Sequence, residues 1–218
     1  MSGPDSTDLL NRLTTNEIVE KPVGSGTRSV LTSNKGRIVD ILTIYYLPNY
    51  LLLLTGPENQ KKIIDWIDGF TFGEEVRLED ITSETAMFTV IGPQSYPLLE
   101  SLTSGTINPL NPYEGISTSI ANCEVYVAKE QPAWGQAFNI ITQLADSTVI
   151  YNELLEKGQH FGLEPIGNRS YEALRINMGI PVYGSELNLE FNPLEVGLWD
   201  SISFTKGCYV GQEVVARL

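Results

Sequence analysis

The middle of the chain alternates strand and helix patterns in an order that few folds accommodate. From residue 50 onward the pattern predicts a strand, a helix, two strands, a helix and a strand, at 50–55, 57–68, 75–81, 86–91, 93–102 and 123–128. This βαββαβ order is that of ferredoxin-like domains. A strand in a sheet with one solvent-exposed face needs apolar residues only at alternate positions, whereas all four residues of Leu51–Leu54 are apolar. We therefore expect both faces of that strand to be covered.

The second covering layer would come from the flanking sequence. We therefore predict an α+β protein in which a ferredoxin-like (βαββαβ) unit at 49–144 is inserted into a second α+β unit, built from 1–48 and 145–218. A chain of 218 residues is long enough to bury the core that this arrangement needs.

The charge balance excludes some classes of partner. With 14 basic and 27 acidic residues the net charge is −13, which repels phosphate backbones and anionic lipid headgroups. We expect neither nucleic acid nor a membrane as a partner, and no apolar run approaches the roughly 20 residues of a membrane span.

The first residues lack the basic and apolar regions of a signal peptide. Two cysteines and one histidine make no metal-ligand cluster. We predict a monomer in a reducing cytoplasm, with no metal.

Residues 206–213, Lys-Gly-Cys-Tyr-Val-Gly-Gln-Glu, carry the densest set of reactive groups. They place an ammonium, a thiol, a phenol, an amide and a carboxylate within one short segment. The sequence from Val210 onward predicts the start of a helix. Cys208 would then lie near a helix N-terminus and two residues from Lys206, and both neighbours favour the thiolate. We predict that Cys208 and Lys206 form the reactive pair.

These residues also have structural interpretations. Free cysteine is often a small buried apolar side chain, and a lone lysine is usually a solvated surface charge. Glu213, in a first helical turn, complements the helix dipole without a ligand. Gln212 could bind a heterocycle through its amide or cap the helix. Cys123 shares a strand face with Val125 and Val127, so we predict that it belongs to the core.

The octapeptide closely resembles the signature of the YgfZ-type folate-binding proteins, which are relatives of the aminomethyltransferase (T-protein) of glycine cleavage. Further blocks resemble that family in the same order, at 9–16, 31–38, 171–181 and 191–195. The resemblance implies the aminomethyltransferase-type folate-binding fold, with tetrahydrofolate or a one-carbon derivative as its ligand. It implies that the folate pocket is lined by Lys206, Cys208, Tyr209, Gln212 and Glu213. Arg175 belongs to the helix block beside that pocket, although such an arginine is usually a packing or salt-bridge residue.

Three departures from the aminomethyltransferase pattern bear on activity. Where those enzymes carry two adjacent aspartates, the first of them catalytic, this chain has Val39-Asp40. At the position of their folate-contacting glutamate this chain has Asn177, which we expect to contact the folate here. An amide cannot pair with two pteridine N–H groups as a carboxylate does. Both family types also carry a C-terminal barrel domain, and this sequence ends directly after the signature. We therefore expect a trimmed form with the barrel absent.

The resemblance leads to one preferred function and two alternatives. The first is a YgfZ-type folate-binding protein that supports assembly or repair of iron–sulfur clusters, with iron–sulfur client proteins as partners. The second is an aminomethyltransferase that transfers a one-carbon unit to tetrahydrofolate. The third is a non-enzymatic, folate-gated interaction module. Because Val39 replaces the catalytic aspartate, the sequence leaves open whether the chain is an enzyme.

Overall fold

The structure, a computed structural model, describes residues 1–103, 107, 109–131 and 135–217. It divides into two compact units. The first is discontinuous and combines Met1–Asp80 with Pro181–Leu218, and the second is the continuous segment Ile81–Ile180. Among the described residues, no helix has both the length and the apolar character needed to cross a lipid bilayer.

The first unit contains a three-stranded antiparallel sheet with strand order β1-β2-β3. The strands and helices of this unit are α1 (Ser6–Leu13), β1 (Gly26–Thr32), β2 (Ile38–Tyr46), β3 (Leu51–Leu54), α2 (Gln60–Asp68) and α6 (Gln212–Val215). Leu31 of β1 pairs with Asp40 of β2, but the next residue, Thr32, pairs with Ile38, so the register between the two strands shifts by one residue. Val39 is therefore an extra residue on β2, a β-bulge that redirects the side chains beside it.

Apolar layers cover the sheet of the first unit. One cluster joins leucines of α1 and isoleucines of α2 to residues of β2. A second cluster packs Leu187 and Leu198 against Val30, Ile38 and Ile41. Burial of β2 is nearly continuous along its length, as expected for a central strand with both faces covered.

The second unit is a four-stranded antiparallel sheet with helices packed against it, in strand order β4-β7-β6-β5. Its elements are β4 (Thr85–Ile91), α3 (Ser95–Leu102), β5 (Gly115–Ile120), β6 (Cys123–Lys129), β7 (Ala137–Gln143), α4 (Ser147–Gly158) and α5 (Asn168–Asn177). Its core draws on α3, α4 and the inner faces of the sheet strands.

The α+β class is confirmed, but the predicted βαββαβ order of the insertion is not what the structure shows. The predicted strand at 50–55 pairs with β2 in the first unit, because the Leu47 N–H bonds the Tyr50 carbonyl at 3.0 Å and closes a short hairpin. Residues 75–81 form only an isolated bridge between Ser2 and Arg77. The compact units divide at 80/81 and 180/181, whereas the predicted borders were 48/49 and 144/145.

The prediction for the four leucines also needs correction. Leu51 is buried, but the other residues of Leu51–Leu54 are only half-buried. β3 pairs with β2 alone and forms an edge of the sheet. An edge strand needs less cover than a central one, so the doubly buried strand is β2.

Candidate functional site

The signature segment folds within the first unit, where it contacts two of the other sequence blocks that resemble the family. Lys206 reaches the end of α1, within block 9–16. Val210 and Gly211 reach the turn between β1 and β2, within block 31–38. Block 191–195 reaches the same region, since the Ile38 N–H bonds the Phe191 carbonyl at 3.0 Å. Segments far apart in sequence therefore build one surface.

Lys206 anchors the first half of the signature. Its Nζ donates hydrogen bonds to the carbonyl oxygens of Asn11 (2.6 Å), Thr14 (2.9 Å) and Asn16 (2.5 Å). The ring centroid of Tyr209 lies 5.3 Å from the same nitrogen, which adds a cation–π contact. The last carbonyls of a helix lack partners within the helix and carry its partial negative charge. The ammonium therefore satisfies the end of α1.

The environment of Lys206 contradicts its interpretation as a solvated surface charge. Only 8% of the residue is exposed, and burial lowers the pKa of Lys206 to about 8, with a small opposing effect from Glu17. The amine is still protonated at neutral pH. An ammonium has three N–H donors, and all three find carbonyls here. A hydrogen bond from Lys206 to the Cys208 thiol would require one of these bonds to break.

Cys208 is exposed on the loop between Lys206 and Tyr209. Its predicted position near a helix N-terminus needs correction, because α6 begins only at Gln212 and is four residues long. Cys208 therefore lies outside the first turn, where the dipole acts. Its predicted reactivity stays a prediction. Cys123, by contrast, is half-buried against the core of the second unit, and burial raises the pKa of its thiol.

A second anchor follows directly after Tyr209. The Val210 N–H bonds the Arg12 carbonyl at 3.0 Å, and the Thr32 hydroxyl donates to the Val210 carbonyl at 2.5 Å. Gly211 has φ +83°, and a Cβ placed on it would lie 2.5 Å from the Ser33 carbonyl oxygen. Only glycine fits this position, because the backbone is left-handed and the neighbouring turn is in contact.

The remaining signature residues differ in exposure. Tyr209 is buried, and this burial raises the pKa of its phenol. Gln212 is half-buried at the start of α6. Glu213 is exposed and pairs with Arg217 at 2.8 Å, an ion pair that contributes little in water. The predicted folate contacts of these three residues stay predictions.

Arg175 and Asn177 belong to α5 in the second unit. The Arg175 guanidinium is buried and forms a bidentate pair with Glu172, in which Nε donates to Oε1 at 3.0 Å and Nη2 donates to Oε2 at 2.7 Å. It also donates to the Ile180 carbonyl at 3.2 Å, just after the helix ends. Arg175 thus has the packing and salt-bridge role expected of a buried helical arginine. Asn177 is exposed at the last residue of α5.

A buried carboxylate beside Val39 is the strongest feature that the sequence interpretation underestimated. Asp40 is fully buried and accepts three hydrogen bonds, from the Ile41 N–H (2.7 Å), the Gly56 N–H (2.9 Å) and the Asn59 side-chain amide (2.8 Å). It thereby fixes β2 to the start of α2. Asn59 was missed because the sequence pattern predicts a helix from residue 57, whereas α2 begins at Gln60 and Asn59 is its N-cap residue, where asparagine is common.

The protonation of Asp40 reflects two opposing effects. Burial raises the pKa of its carboxyl above the usual value, while the N–H donors and the nearby Lys62 lower it. Burial is the larger effect. A side chain with a raised pKa next to the position of a catalytic aspartate is a candidate acid–base group. Its three N–H donors hold it in one orientation.

Lys62 and Tyr183 lie beside this carboxylate. Lys62 Nζ lies 5.5 Å from the centroid of the Tyr183 ring, and a Cβ on Gly56 would lie only 2.4 Å from Tyr183 Cβ. The cluster thus combines a carboxylate, an amide, an ammonium and an aromatic ring within one unit. In the described part of the chain, no three His, Cys, Asp or Glu side chains are placed to hold a metal ion.

Comparison with known proteins identifies the family. The family model of the GCVT N-terminal domain matches residues 1–206. The chain belongs to the GCVT N-terminal domain family.

Several curated proteins resemble it along its whole length. A chloroplastic protein of Arabidopsis thaliana, provisionally named a transferase, is 31% identical and matches 100% of this chain over 50% of its own length. The aminomethyltransferase of Caldanaerobacter subterraneus subsp. tengcongensis is 26% identical, with 100% of this chain matched over 59% of that protein. The Streptomyces avermitilis aminomethyltransferase is 28% identical over the same shares. The chain thus spans between half and three-fifths of the length of these relatives.

Solved structures confirm the aminomethyltransferase-type fold that the sequence predicts. The glycine cleavage system aminomethyltransferase T from Bartonella henselae superposes with a TM-score of 0.82 at 17% identity, over 99% of this chain and 58% of that one. A chain of the heterotetrameric sarcosine oxidase from Corynebacterium sp. U-96 matches less closely, with a TM-score of 0.55 at 19% identity, over 76% of this chain and 80% of that one. At these identities the likeness concerns the fold alone.

Proposed function

We propose that this chain binds tetrahydrofolate or a one-carbon derivative of it. We further propose that it supports the assembly or repair of iron–sulfur clusters, as the YgfZ-type proteins do whose signature its octapeptide resembles. Membership of the GCVT N-terminal domain family supports the first part. The octapeptide at 206–213 supports the second.

One observation favours a binding role over one-carbon transfer. Val39 is 1% exposed and belongs to the apolar cluster of the first unit. A valine cannot accept or donate a proton, so the position of the catalytic aspartate in the related enzymes carries no acid–base group. The adjacent Asp40 is held by three N–H donors, and taking part in transfer would disturb those bonds.

Asn177 would be the contact that separates this chain from the transferases. Its amide offers one acceptor oxygen and one NH₂ donor group, so it would make a neutral contact to a pteridine ring. A carboxylate there would make charge-assisted bonds, which are about twice as strong. Exposure of Asn177 at the end of α5 leaves its side chain accessible to a ligand.

Aminomethyl transfer is the second candidate. The bacterial relatives named above are aminomethyltransferases, at 26% and 28% identity. Asp40 supports this candidate as well, because its carboxyl is next to Val39 and burial raises its pKa. In this alternative Asp40 itself would exchange the proton.

Calorimetry with tetrahydrofolate and its methylene and formyl forms tests the binding proposal. Saturable binding of at least one of them is expected. Asn177→Glu should tighten it about tenfold, or about 1.4 kcal/mol. Asn168→Glu, at the other end of α5, is the matched control and should leave affinity unchanged. Absence of binding to all three folates would overturn the proposal.

Two further assays separate the candidates. An aminomethylated carrier protein supplied with tetrahydrofolate should give no methylene-tetrahydrofolate above background, and turnover abolished by Asp40→Asn would establish the transferase instead. In host cells lacking their own YgfZ-type gene, expression of the chain should restore activity of an iron–sulfur enzyme. Folate binding without such rescue would leave the interaction module as the better description.

A further inference from the structure

The strand β4 forms one edge of the sheet in the second unit, where β7 is its neighbour in the sheet. Its residues, Thr85–Ile91, pair with residues 137–143 of β7 without a shift of register. The segment contains no charged residue and no proline. Edge strands of native sheets commonly carry a lysine, a proline or a bulge that prevents a further strand from pairing. β4 lacks all three devices.

Alternate residues of β4 direct their backbone groups away from the sheet. Just beyond the two ends of the strand, the Leu144 N–H bonds the Glu84 carbonyl at 2.7 Å and the Gly92 N–H bonds the Gln136 carbonyl at 2.8 Å. In an antiparallel pair such bonds recur at every second residue, so the even-numbered residues of β4 face β7. The odd-numbered residues, which form the open edge, are Thr85, Met87, Thr89 and Ile91.

The open edge is unpaired and accessible. Within the described part of the chain, its outward N–H and C=O groups have no backbone partner. Met87, at its centre, is 50% exposed, and Thr89 is also exposed. The opposite edge of the sheet differs, because Ile120 of β5 forms a bridge with Thr103. A row of free donors and acceptors of this kind is a template for an added strand.

A cavity of about 340 Å³ lies at the far end of the open edge. Its lining includes Ile91, Leu98 of α3, and Phe161 and Leu163 after α4. Segments that add a strand to a sheet obtain affinity from main-chain hydrogen bonds and specificity from pockets for their side chains. This cavity provides an apolar pocket next to the main-chain template.

The charges around the open edge indicate the partner. Glu84 directly precedes β4, and Glu164, which is exposed, lines the cavity at the other end. A carboxylate therefore lies at each end of an uncharged strand. The chain as a whole has a net charge of −13. This charge disfavours a second copy of the chain and favours a basic partner.

We propose that the open edge binds an extended basic segment of a partner protein as a fifth strand of the sheet. The main chain of the segment would pair with the outward groups of β4. One apolar side chain would enter the cavity, and basic residues at its two ends would face Glu84 and Glu164. This surface is independent of the proposed folate function.

Fluorescence anisotropy with a labelled peptide, Arg-Thr-Val-Thr-Val-Thr-Leu-Arg, tests the proposal. Saturable binding is expected, with a Kd below about 1 mM. The same peptide with glutamate in place of both arginines should bind about tenfold more weakly. Methylation of every second main-chain nitrogen should prevent binding in one of the two possible frames only, because only one set of N–H groups faces β4. Binding should also slow hydrogen exchange at the amides of Met87 and Thr89, measured by NMR.

Met87→Pro removes one outward N–H and leaves the bonds to β7 intact, so it should weaken the arginine peptide about tenfold in a folded protein. Ser117→Pro is the matched control on the edge strand β5. The Lys129 N–H bonds the Glu114 carbonyl at 2.8 Å, so by the same alternation Ser117 also faces outward. Circular dichroism checks the fold of both variants.

A charge reversal tests the partner's chemistry without altering the strand. Glu164→Arg, at an exposed position, should weaken the arginine peptide and strengthen the glutamate peptide. This variant also keeps the proposal testable if Met87→Pro does not fold.

Each contrary outcome has a definite meaning. No saturable binding up to about 1 mM, or equal binding by wild type and a folded Met87→Pro, would overturn the edge as a binding site. Equal binding of the arginine and glutamate peptides would overturn the basic partner. A dimer in sedimentation experiments that Met87→Pro abolishes would assign the edge to a second copy instead. Folate calorimetry on Met87→Pro should match wild type, so failure of the folate proposal and failure of this one are distinguishable.

Discussion

Replacement of Lys206 by methionine tests whether the buried ammonium holds the signature segment in place. Methionine preserves most of the apolar length of the side chain. It removes the three hydrogen bonds to the carbonyls of Asn11, Thr14 and Asn16. It also removes the cation from beside the Tyr209 ring. The affected carbonyls end α1, so both the segment and the helix should loosen.

Two opposing effects set the size of the change. A hydrogen bond from a charged donor contributes roughly 1.5–3 kcal/mol, so three contribute roughly 4–9 kcal/mol. Burial of the charge opposes this, since the pKa of Lys206 falls from 10.5 to about 8. At about 1.4 kcal/mol per pKa unit, that cost is about 3 kcal/mol. The hydrogen bonds prevail, and we expect Lys206→Met to lose about 1–6 kcal/mol of the free energy of unfolding.

Urea unfolding followed by far-UV circular dichroism measures this loss. Hydrogen exchange locates it, because the amide of Val210, which donates to Arg12, should exchange faster in the variant. Lys35→Met, at an exposed lysine in the turn between β1 and β2, is the control and should change stability by less than about 0.5 kcal/mol.

The pH dependence gives an independent check. The folded protein releases the Lys206 proton near pH 8, while the unfolded chain holds it to about 10.5. Stability rises with pH wherever the unfolded state binds more protons. The advantage of wild type over Lys206→Met should therefore widen between pH 8 and 10.5. A variant as stable as Lys35→Met would refute the anchoring role, and an advantage that narrows with pH would refute the lowered pKa of Lys206.

Three further predictions concern other positions. Asp40→Asn should lower the free energy of unfolding by about 1–3 kcal/mol. Because burial raises the pKa of Asp40, this loss should be greatest at acid pH and should shrink as the pH rises. Urea titrations between about pH 4 and 7 measure it. Gly211→Ala should lose about 2–4 kcal/mol, owing to its positive φ and the carbonyl against it, whereas Gly207→Ala, with open space around it, should be near neutral in the same assay. Iodoacetamide should alkylate the exposed Cys208 well before Cys123, whose pKa burial raises; equal rates by mass spectrometry would contradict this.

The sequence by itself determined the α+β class and most of the local elements. The helix predicted at 57–68 is α2 (Gln60–Asp68), and that at 93–102 is α3 (Ser95–Leu102). The strand at 86–91 is β4 (Thr85–Ile91). These elements were predictable because helix and strand periodicity is a local property of the side-chain pattern. The relationship to the aminomethyltransferases was also readable, because the blocks at 9–16, 31–38, 171–181 and 191–195 are contiguous strings in the order of that family.

Only the tertiary structure decided strand pairing and the environments of charged groups. A leucine-rich strand pairs equally well by pattern with several neighbours, and the short hairpin after Tyr46 decided in favour of β2. Lys206 differs from a surface lysine only through carbonyls 190 to 195 residues away in the chain. Asp40 likewise owes its role to Gly56 and Asn59, which reach it across 16 and 19 residues. Burial and hydrogen bonding set the cost of a charge, and both depend on contacts that sequence spacing does not encode.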